Sequence, residues 1–404
     1  MSTKSETASF LSHRAGQIEA SITMAITAMA KQLKRDGKNV ISMSAGEPDF
    51  DTPEFIKQAG IDAIQAGKTK YTAAAGLPEL KSAIAQKIKR DVDVDYTDAQ
   101  IVVSCGAKHS IFNALYAIIN DGDEVIIPSP YWVSYPSQVA LLGGRSVFIE
   151  TTDEAQFKIT PAQLKAAITD RTKVLILNSP SNPTGMVYSR EELSALAKVI
   201  VEHQILVISD EIYGQLVYEG THESIASLGD EIKDLTILVN GASKAYSMTG
   251  WRIGYTAAPT EIATVMSRLQ SHSTSNPMTI AQWASLAAFE GDDSEVATMR
   301  ASFDERRIRM TDGLNAIPNV TCQRPQGAFY AFPNIAACIG KSHQGKVINS
   351  SVDFCQALLE SQLLACVPGS GFGADHNLRF SYAASIADID AALERLAAFV
   401  KELT

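Results

Sequence analysis

The stretch Asn240–Tyr255, NGASKAYSMTGWRIGY, decides the reading of this chain. It follows Leu235–Val239 (LTILV), a short apolar run with the length and branching of a buried strand. Its one lysine, Lys244, sits between Ser243 and Ala245, and the stretch closes on Gly250-Trp251-Arg252-Ile253-Gly254. A lysine in a crowded turn of small residues, just past a buried strand, is poorly placed to be a solvated charge. Desolvation lowers an ammonium pKa and frees the amine as a nucleophile, which suits a Schiff-base lysine. Arg252 adds a planar fork of donors and Ser243 a hydroxyl, a pairing that suits a phosphate. Taken alone, the same residues also fit a surface loop with two ordinary cations, and the choice falls to the rest of the chain.

With 404 residues the chain exceeds one ordinary core, so a large and a small domain are expected. Its 46% hydrophobic and 20% charged residues are those of a globular enzyme. A net charge of −10 argues against nucleic acid or an anionic membrane as partner, while leaving small anions to local sites. The five cysteines, Cys105, Cys322, Cys338, Cys355 and Cys366, are scattered and form no CxxC pair. Neither a disulfide framework nor a zinc site follows, and a reducing cytosol fits. The opening MSTKSETASF has no apolar signal core, and no apolar run approaches the roughly 18–20 residues that span a bilayer. A cytoplasmic protein without a metal is the expectation.

The chain then reads in order. A helix is expected over about Ser21–Asp36, with Ile22, Ala25, Ile26, Met29 and Leu33 on one face, and a strand over Val40–Met43. Asp51-Thr52-Pro53-Glu54 opens a helix with a side-chain cap and Pro53 at its first position. After a helix at Pro78–Arg90, strands alternate with helices. The expected strands are Ile101–Ser104, Glu124–Ile127, Ser146–Ile149, Val174–Leu177, Ile205–Ser209 and Leu235–Val239. A helix is expected over Ser110–Ile119, another opens at Thr160-Pro161, and Ser189 with Glu192 forms a capping box for a third. Short β-branched strands separated by helices mean a mostly parallel sheet covered on both faces, an α/β fold. Beyond Pro259 the texture turns to long helices, one around Ser294–Ile317. Strands near Ala328–Phe332, Ala365–Val367 and Leu378–Tyr382 and a helix capped at Ser385 complete a smaller α+β module. The large domain is placed at 46–296, and the small one joins 1–45 with 297–404.

In open α/β sheets, ligands bind beyond the carboxyl ends of the strands, and the unusual residues fall there. Gly106-Ala107-Lys108 lies between a strand and a helix and offers backbone N–H groups to an anion. Asn182-Pro183-Thr184-Gly185 follows another strand, and Asp210 closes a third with Tyr213 close behind. Each also fits a structural turn or cap. Together they ask for one ligand: a phosphate for Ser243, Arg252 and the Gly106–Lys108 turn, an aldehyde for Lys244, and a basic ring nitrogen for Asp210. Pyridoxal 5′-phosphate has all three.

These residues sit in motifs that carry a resemblance. AGEPDFDTP (Ala45–Pro53), YTAAAGLPELK (Tyr71–Lys81), SPYWVSYP (Ser129–Pro136), NSPSNPTG (Asn178–Gly185), SDEIY (Ser209–Tyr213), SKAYSMTGWRIGY (Ser243–Tyr255), GAFY (Gly327–Tyr330) and LRFSYA (Leu378–Ala383) follow one another along almost the whole chain. The chain resembles the class I aminotransferases of pyridoxal-phosphate fold type I, within them the bacterial aspartate aminotransferase subgroup, some members of which act on prephenate. The resemblance implies that Lys244 is the covalent anchor and proton shuttle, and that Asp210 pairs with the ring N–H. It implies that Tyr213 and Asn182 bond the ring oxygen and that Trp132 lies against the ring. Gly106, Ala107, Lys108, Ser243 and Arg252 would surround the phosphate, with Tyr71 reaching it from a partner subunit, so that a homodimer shares its sites. Gly46 and Arg379 would hold the substrate α-carboxylate, with Trp132 and Asn182 also on the substrate.

A dicarboxylate substrate needs a further cation. In another branch of the family a partner arginine supplies it, from a segment corresponding to Leu269–Met299, which here has neither Arg nor Lys. The resembled subgroup uses instead a lysine after the phosphate turn and hydroxyls of the N-terminal helix, matched by Lys108, Ser21 and Thr23. Lys108 either reads the distal carboxylate or points at the cofactor phosphate or solvent. His272 is either a pH-dependent donor or a surface histidine. Aspartate:2-oxoglutarate aminotransfer is the first expectation, prephenate or aromatic transamination the second. A lyase of the same fold and a non-catalytic ligand sensor are more remote; the sensor would need a DNA-binding domain for which the N-terminal arm is too short.

Overall fold

The computed structural model describes Gly16 and residues 22–404, with side chains from residue 28 onward. Ser21 lies outside the described residues, and of Thr23 only the helical backbone is described. The strands are β1 (Ile41–Ser42), β2 (Ile101–Ser104), β3 (Glu124–Ser129), β4 (Arg145–Glu150), β5 (Thr172–Asn178), β6 (Leu206–Asp210), β7 (Thr236–Gly241), β8 (Gly254–Ala257), β9 (Tyr330–Ala331), β10 (Ser342–His343), β11 (Lys346–Val347), β12 (Leu364–Ala365), β13 (Val367–Pro368) and β14 (Leu378–Ser381). The helices are α1 (Ile22–Arg35), α2 (Glu54–Gln65), α3 (Pro78–Val92), α4 (Ala107–Ile118), α5 (Ser134–Leu141), α6 (Pro161–Ala167), α7 (Arg190–His203), α8 (Asp230–Asp234), α9 (Thr260–Ser273), α10 (Thr279–Glu290), α11 (Ser294–Asn315), α12 (Ser351–Gln362) and α13 (Ile386–Lys401).

Seven strands form one sheet in the order β2-β8-β7-β6-β5-β3-β4. All run in one direction except β8, which is antiparallel to both β2 and β7. The alternation of side chains along a strand explains the two covered faces. Val102, Val125, Ile127, Val174, Ile176, Ile208, Ile237 and Val239 pack with α4 and α9. Their chain neighbours Ile126, Leu175, Leu177 and Val207 pack with α6 and α7, and Val103 and Leu238 with α3 and α10. The expected α/β architecture is therefore present, and the capping boxes at Ser189 and Thr160 are both formed.

A second body of structure packs on α11, α12 and α13. β13, β14 and β9 form a three-stranded antiparallel sheet. β1 pairs in parallel with β12, Ile41 opposite Leu364, which ties residue 41 to the C-terminal part of the chain. Ile41, Met43, Phe303, Leu314, Phe354, Phe380, Leu396 and Phe399 share one core.

Several expectations need correction. Pro53 is the cap residue of α2, not its first helical position, and no side chain caps the helix. Asp51 instead accepts from the Thr52 N–H and binds Lys57 Nζ, both at 2.8 Å. The run Ala365–Val367 is two strands, because β12 pairs with β1 and β13 with β14, so the chain changes sheets at Cys366. Regular pairing at 328–332 is confined to Tyr330–Ala331. The helix expected from Ser110 begins at Ala107, so Gly106 caps it with φ +90°. β8 and α5 were not expected at all.

Loss of the α7 cap tests the local account. Ser189→Ala removes the acceptor for Glu192 N–H and should cost about 1 kcal/mol, with Ser189→Asp retaining most of it. Chemical denaturation of the two variants side by side measures the difference.

Candidate active site

Because six strands share a direction, their carboxyl ends lie along one edge of the sheet. β2 delivers Gly106, Ala107 and Lys108 there; β3, Trp132; β5, Asn178 and Asn182; β6, Asp210; β7, Ser243 and Lys244. Antiparallel β8 presents its beginning at this edge, so Arg252, just before it, arrives at the same place. A cavity of about 570 Å³ opens at this edge. Gly46, Ala107, Lys108, Trp132, Asn182, Asp210, Tyr213, Ser243, Lys244, Arg252 and Arg379 all line it. Arg379 comes from β14, so the second body of structure closes the cavity from the other side.

The cavity is basic although the chain is acidic. Lys31, Lys108, Lys244, Arg252 and Arg379 face Glu47 and Asp210 across it. Lys244 donates to Gly46 O at 2.5 Å. Burial, then the positive charges of Arg379 and Arg252, lower its amine pKa to about 8. About a tenth of it is free amine at pH 7, against about one in several thousand for an ordinary lysine. Asp210 is buried, and burial raises its pKa to about 6 despite hydrogen bonds from Tyr135 and the Ile212 N–H. The Tyr135 hydroxyl donates to Asp210 Oδ2 at 2.6 Å, and Asn178 Nδ2 donates to the Asp210 carbonyl at 2.9 Å.

Tyr213 and Tyr330 share a hydroxyl–hydroxyl hydrogen bond of 2.8 Å. Arg379 is buried; its Nη1 donates to Asn182 Oδ1 at 3.1 Å and its Nη2 to Ser44 O at 3.0 Å. Its Nε is buried without a partner among the described residues, and the side chain lines the cavity with a planar donor fork of the kind that binds a carboxylate. Lys108 Nζ lies over the Trp132 ring, 4.9 Å from its centre, and burial lowers its pKa.

The chemistry of this donor set fits pyridoxal 5′-phosphate. A Cβ on Gly106 would fall 2.4 Å from Arg252 Nη2, and one on Gly254 would fall 2.2 Å from the Ala107 nitrogen. Only glycine at both positions lets β8, the guanidinium and the α4 N-terminus close on one another. That end of the twelve-residue α4, with Ser243 and Arg252 beside it, makes an anion cradle. Lys244 offers an amine, and Asp210 a carboxylate for a cationic ring nitrogen.

Three residues singled out in the sequence stand apart. Tyr71 is 90% exposed in this chain and does not line the cavity. Gly106 shapes the cradle without lining it. His272 is exposed on the last turn of α9. Reasoning from sequence missed Tyr135, Asn178, Ser44, Glu47 and Tyr330 as site residues. Glu47, Tyr135, Asn178 and Tyr330 do sit inside the quoted motifs, which was the available signal.

The sequence profile of the family described as aminotransferase class I and II matches residues 38–396. An aspartate aminotransferase of Bacillus subtilis (strain 168) is 48% identical over 393 residues, covering 97% of this chain and 99% of that protein. An aspartate/prephenate aminotransferase of Cereibacter sphaeroides is 48% identical over 398 residues, covering 98% and 100%. The solved aspartate aminotransferase of Rhizobium meliloti superposes with a TM-score of 0.95 at 44% identity, over 98% of this chain and 99% of that one. That of Thermus thermophilus with maleate gives 0.90 at 42%, over 96% and 99%. This chain therefore belongs to the class I and II aminotransferases and works with their cofactor, pyridoxal 5′-phosphate.

Proposed function

We propose that the chain reversibly transfers the amino group of L-aspartate to 2-oxoglutarate, giving oxaloacetate and L-glutamate, in a ping-pong cycle. One observation carries this reading: the cavity that holds Lys244 also holds Arg379 and Lys108, two of its four further cations. Neither is ion-paired with a carboxylate among the described residues. Two carboxylates on one substrate would satisfy both. The names of the similar proteins support it, as does a solved relative named with maleate, a dicarboxylate. Prephenate as amino acceptor is the second reading, favoured by the name of the Cereibacter relative.

The residues divide the work as follows. When bound, the cofactor supplies an aldehyde and an electron-withdrawing ring that stabilises negative charge at the substrate Cα. Lys244 Nζ anchors it and moves the Cα proton, for which a pKa near 8 is well matched. Asp210, held by Tyr135, keeps a proton on the ring nitrogen. Tyr213 and Asn182 serve the ring oxygen, and Trp132 lies against the ring. Ala107, Ser243 and Arg252, with the Lys108 backbone N–H and with Gly106 shaping the turn, hold the phosphate, joined by Tyr71 of a second copy in a homodimer. The exposure of that phenol is the reason for placing it there. Arg379 and Gly46 hold the α-carboxylate. Lys108, with Ser21 and Thr23, reads the distal carboxylate. Residues 46–296 form the cofactor-binding domain and 1–45 with 297–404 the smaller one, in a cytoplasmic enzyme.

Lys244→Ala should abolish aspartate:2-oxoglutarate transamination while leaving circular dichroism and the melting profile near those of the parent. Substantial turnover without an added amine would overturn the assignment. In the cofactor-free protein, Lys244 should react with an amine-selective reagent more rapidly as pH rises through about 8, because the free amine is the reactive form. Peptide mass spectrometry across a pH series reads that midpoint, and one above 10 would refute it. Lys108→Ala should raise KM for aspartate roughly tenfold or more, the scale of a lost charge-assisted hydrogen bond, and spare alanine. Steady-state kinetics on aspartate, alanine, phenylalanine and prephenate decides between the two readings, and equal effects of Lys108→Ala on aspartate and alanine would remove its role.

A further inference from the structure

Behind the active site, across the sheet, lies a second cavity of about 240 Å³, bordered by Glu211, His222, Asp91, Gln215, Tyr255 and Arg300. Asp210 and Glu211 are consecutive, and their side chains leave the end of β6 toward opposite faces. Asp210 enters the first cavity and Glu211 the second. Glu211 is buried and takes three hydrogen bonds: from Ser209 Oγ at 2.8 Å, Ser224 Oγ at 2.6 Å and His222 Nε2 at 2.8 Å. The His222 side chain is 10% exposed. Gly214 leaves it no slack, since a Cβ there would come within 2.8 Å of the imidazole. With Nε2 given to the carboxylate, Nδ1 is buried and, among the described residues, unpartnered. This pair takes no part in binding substrate or cofactor as described above, yet it places a fixed charge one residue from Asp210.

We propose that Glu211 and His222 are a positioning pair that sets, from the opposite face of the sheet, how strongly Asp210 holds a proton. A negative charge nearby disfavours ionisation of a carboxyl, and the charge of Glu211 is among the causes, after burial, that raise the proton affinity of Asp210. The hydrogen bond from His222 governs how much of that charge Asp210 feels. The neighbouring charges leave this role to the pair. Asp91 is already matched by Lys87 and Gln215, at 2.8 and 2.7 Å. Arg300 is exposed at the rim, and Tyr255 and Tyr96 are phenols whose pKa values burial drives far above neutrality. On the other face Asp210 meets Lys244, Tyr135 and Tyr213.

The inference rests on Asp210 serving the ring nitrogen, but its test needs no cofactor. Infrared difference titration of the full cofactor-free chain, with Asp210→Asn as the reference, reads the Asp210 carboxyl alone. Glu211→Gln keeps one oxygen to accept from the Ser209 and Ser224 hydroxyls, turns its NH2 toward His222 Nε2, which can switch tautomer to accept, and removes the charge, so Asp210 should titrate about one pH unit lower. His222→Phe removes the donor and leaves the charge, so Asp210 should titrate higher. His222→Gln, which keeps a neutral donor, should fall between His222→Phe and the parent, and it stands in should the phenylalanine variant not fold. Loosening of the end of β6 would admit water and drive every variant downward together. Opposite shifts support the pair; shifts of one sign, or none, overturn it. Retention of cofactor by Asp210→Asn, measured separately by fluorescence, tests the ring-nitrogen assignment and leaves the titration result independent of it.

Discussion

Everything at this site depends on holding two ionisable groups, a buried Asp210 and a half-buried Lys244, at the end of a parallel sheet without letting them neutralise each other. The Lys244 hydrogen bond goes to a backbone oxygen, Gly46 O, and that of Asp210 to a phenol, Tyr135. Burial then moves the two pKa values toward each other, to about 8 and about 6. A direct ion pair would have moved them apart and frozen both charges. Burial of unpaired charge is costly, so the surrounding structure must be rigid enough to enforce it. Here β5, β6 and β7, with both faces covered by helices, supply that rigidity.

The antiparallel strand β8 solves a second geometric problem. A purely parallel sheet brings strand ends to one edge, but the phosphate cradle needs a cation from a strand's beginning. Reversing β8 between β2 and β7 sets Arg252 beside the turn that β2 delivers. The close approach has a compositional cost, glycine at 106 and at 254, because a Cβ at either would strike the opposing group. The second glycine of GWRIGY, Gly254, thus follows from packing, whereas a Cβ on Gly250 would meet nothing within 4 Å.

Legibility in the sequence tracks the range of the interaction. Strands β2, β3, β5, β6 and β7 announce themselves as short β-branched runs, so the residues at their ends, Asp210 and Lys244 among them, could be placed at one edge before any coordinates. The caps at Ser189, Thr160 and Ser385 are local and were legible for the same reason. Partners far apart in the chain were not. Tyr135 and Asp210 are 75 residues apart, and Arg379 and Asn182 are 197 apart. No local pattern distinguishes Tyr135 from a core tyrosine. β8 was hidden because its direction is set by its two neighbours, not by its own four residues. Resemblance to a family recovered Arg379 and Asn182, which spacing alone had no means to pair.

The join between the two bodies of structure is where specificity has to arise. Lys108 and Trp132 belong to loops of the large sheet, whereas Arg379 belongs to β14 and reaches across to Asn182 and to Ser44 O. Those bonds already hold its guanidinium in place before any carboxylate arrives, and its Nε is left without a partner among the described residues. Preorganisation of this kind lowers the ordering cost of binding. The Lys108 ammonium, by contrast, forms no ion pair among the described residues and lies over the Trp132 ring. On the proposed reading, the α-carboxylate, common to all amino acids, would meet the rigid cation, while the side chain, which differs among them, would meet Lys108. A site built this way would fix the reacting end of every substrate and leave discrimination to the other cation.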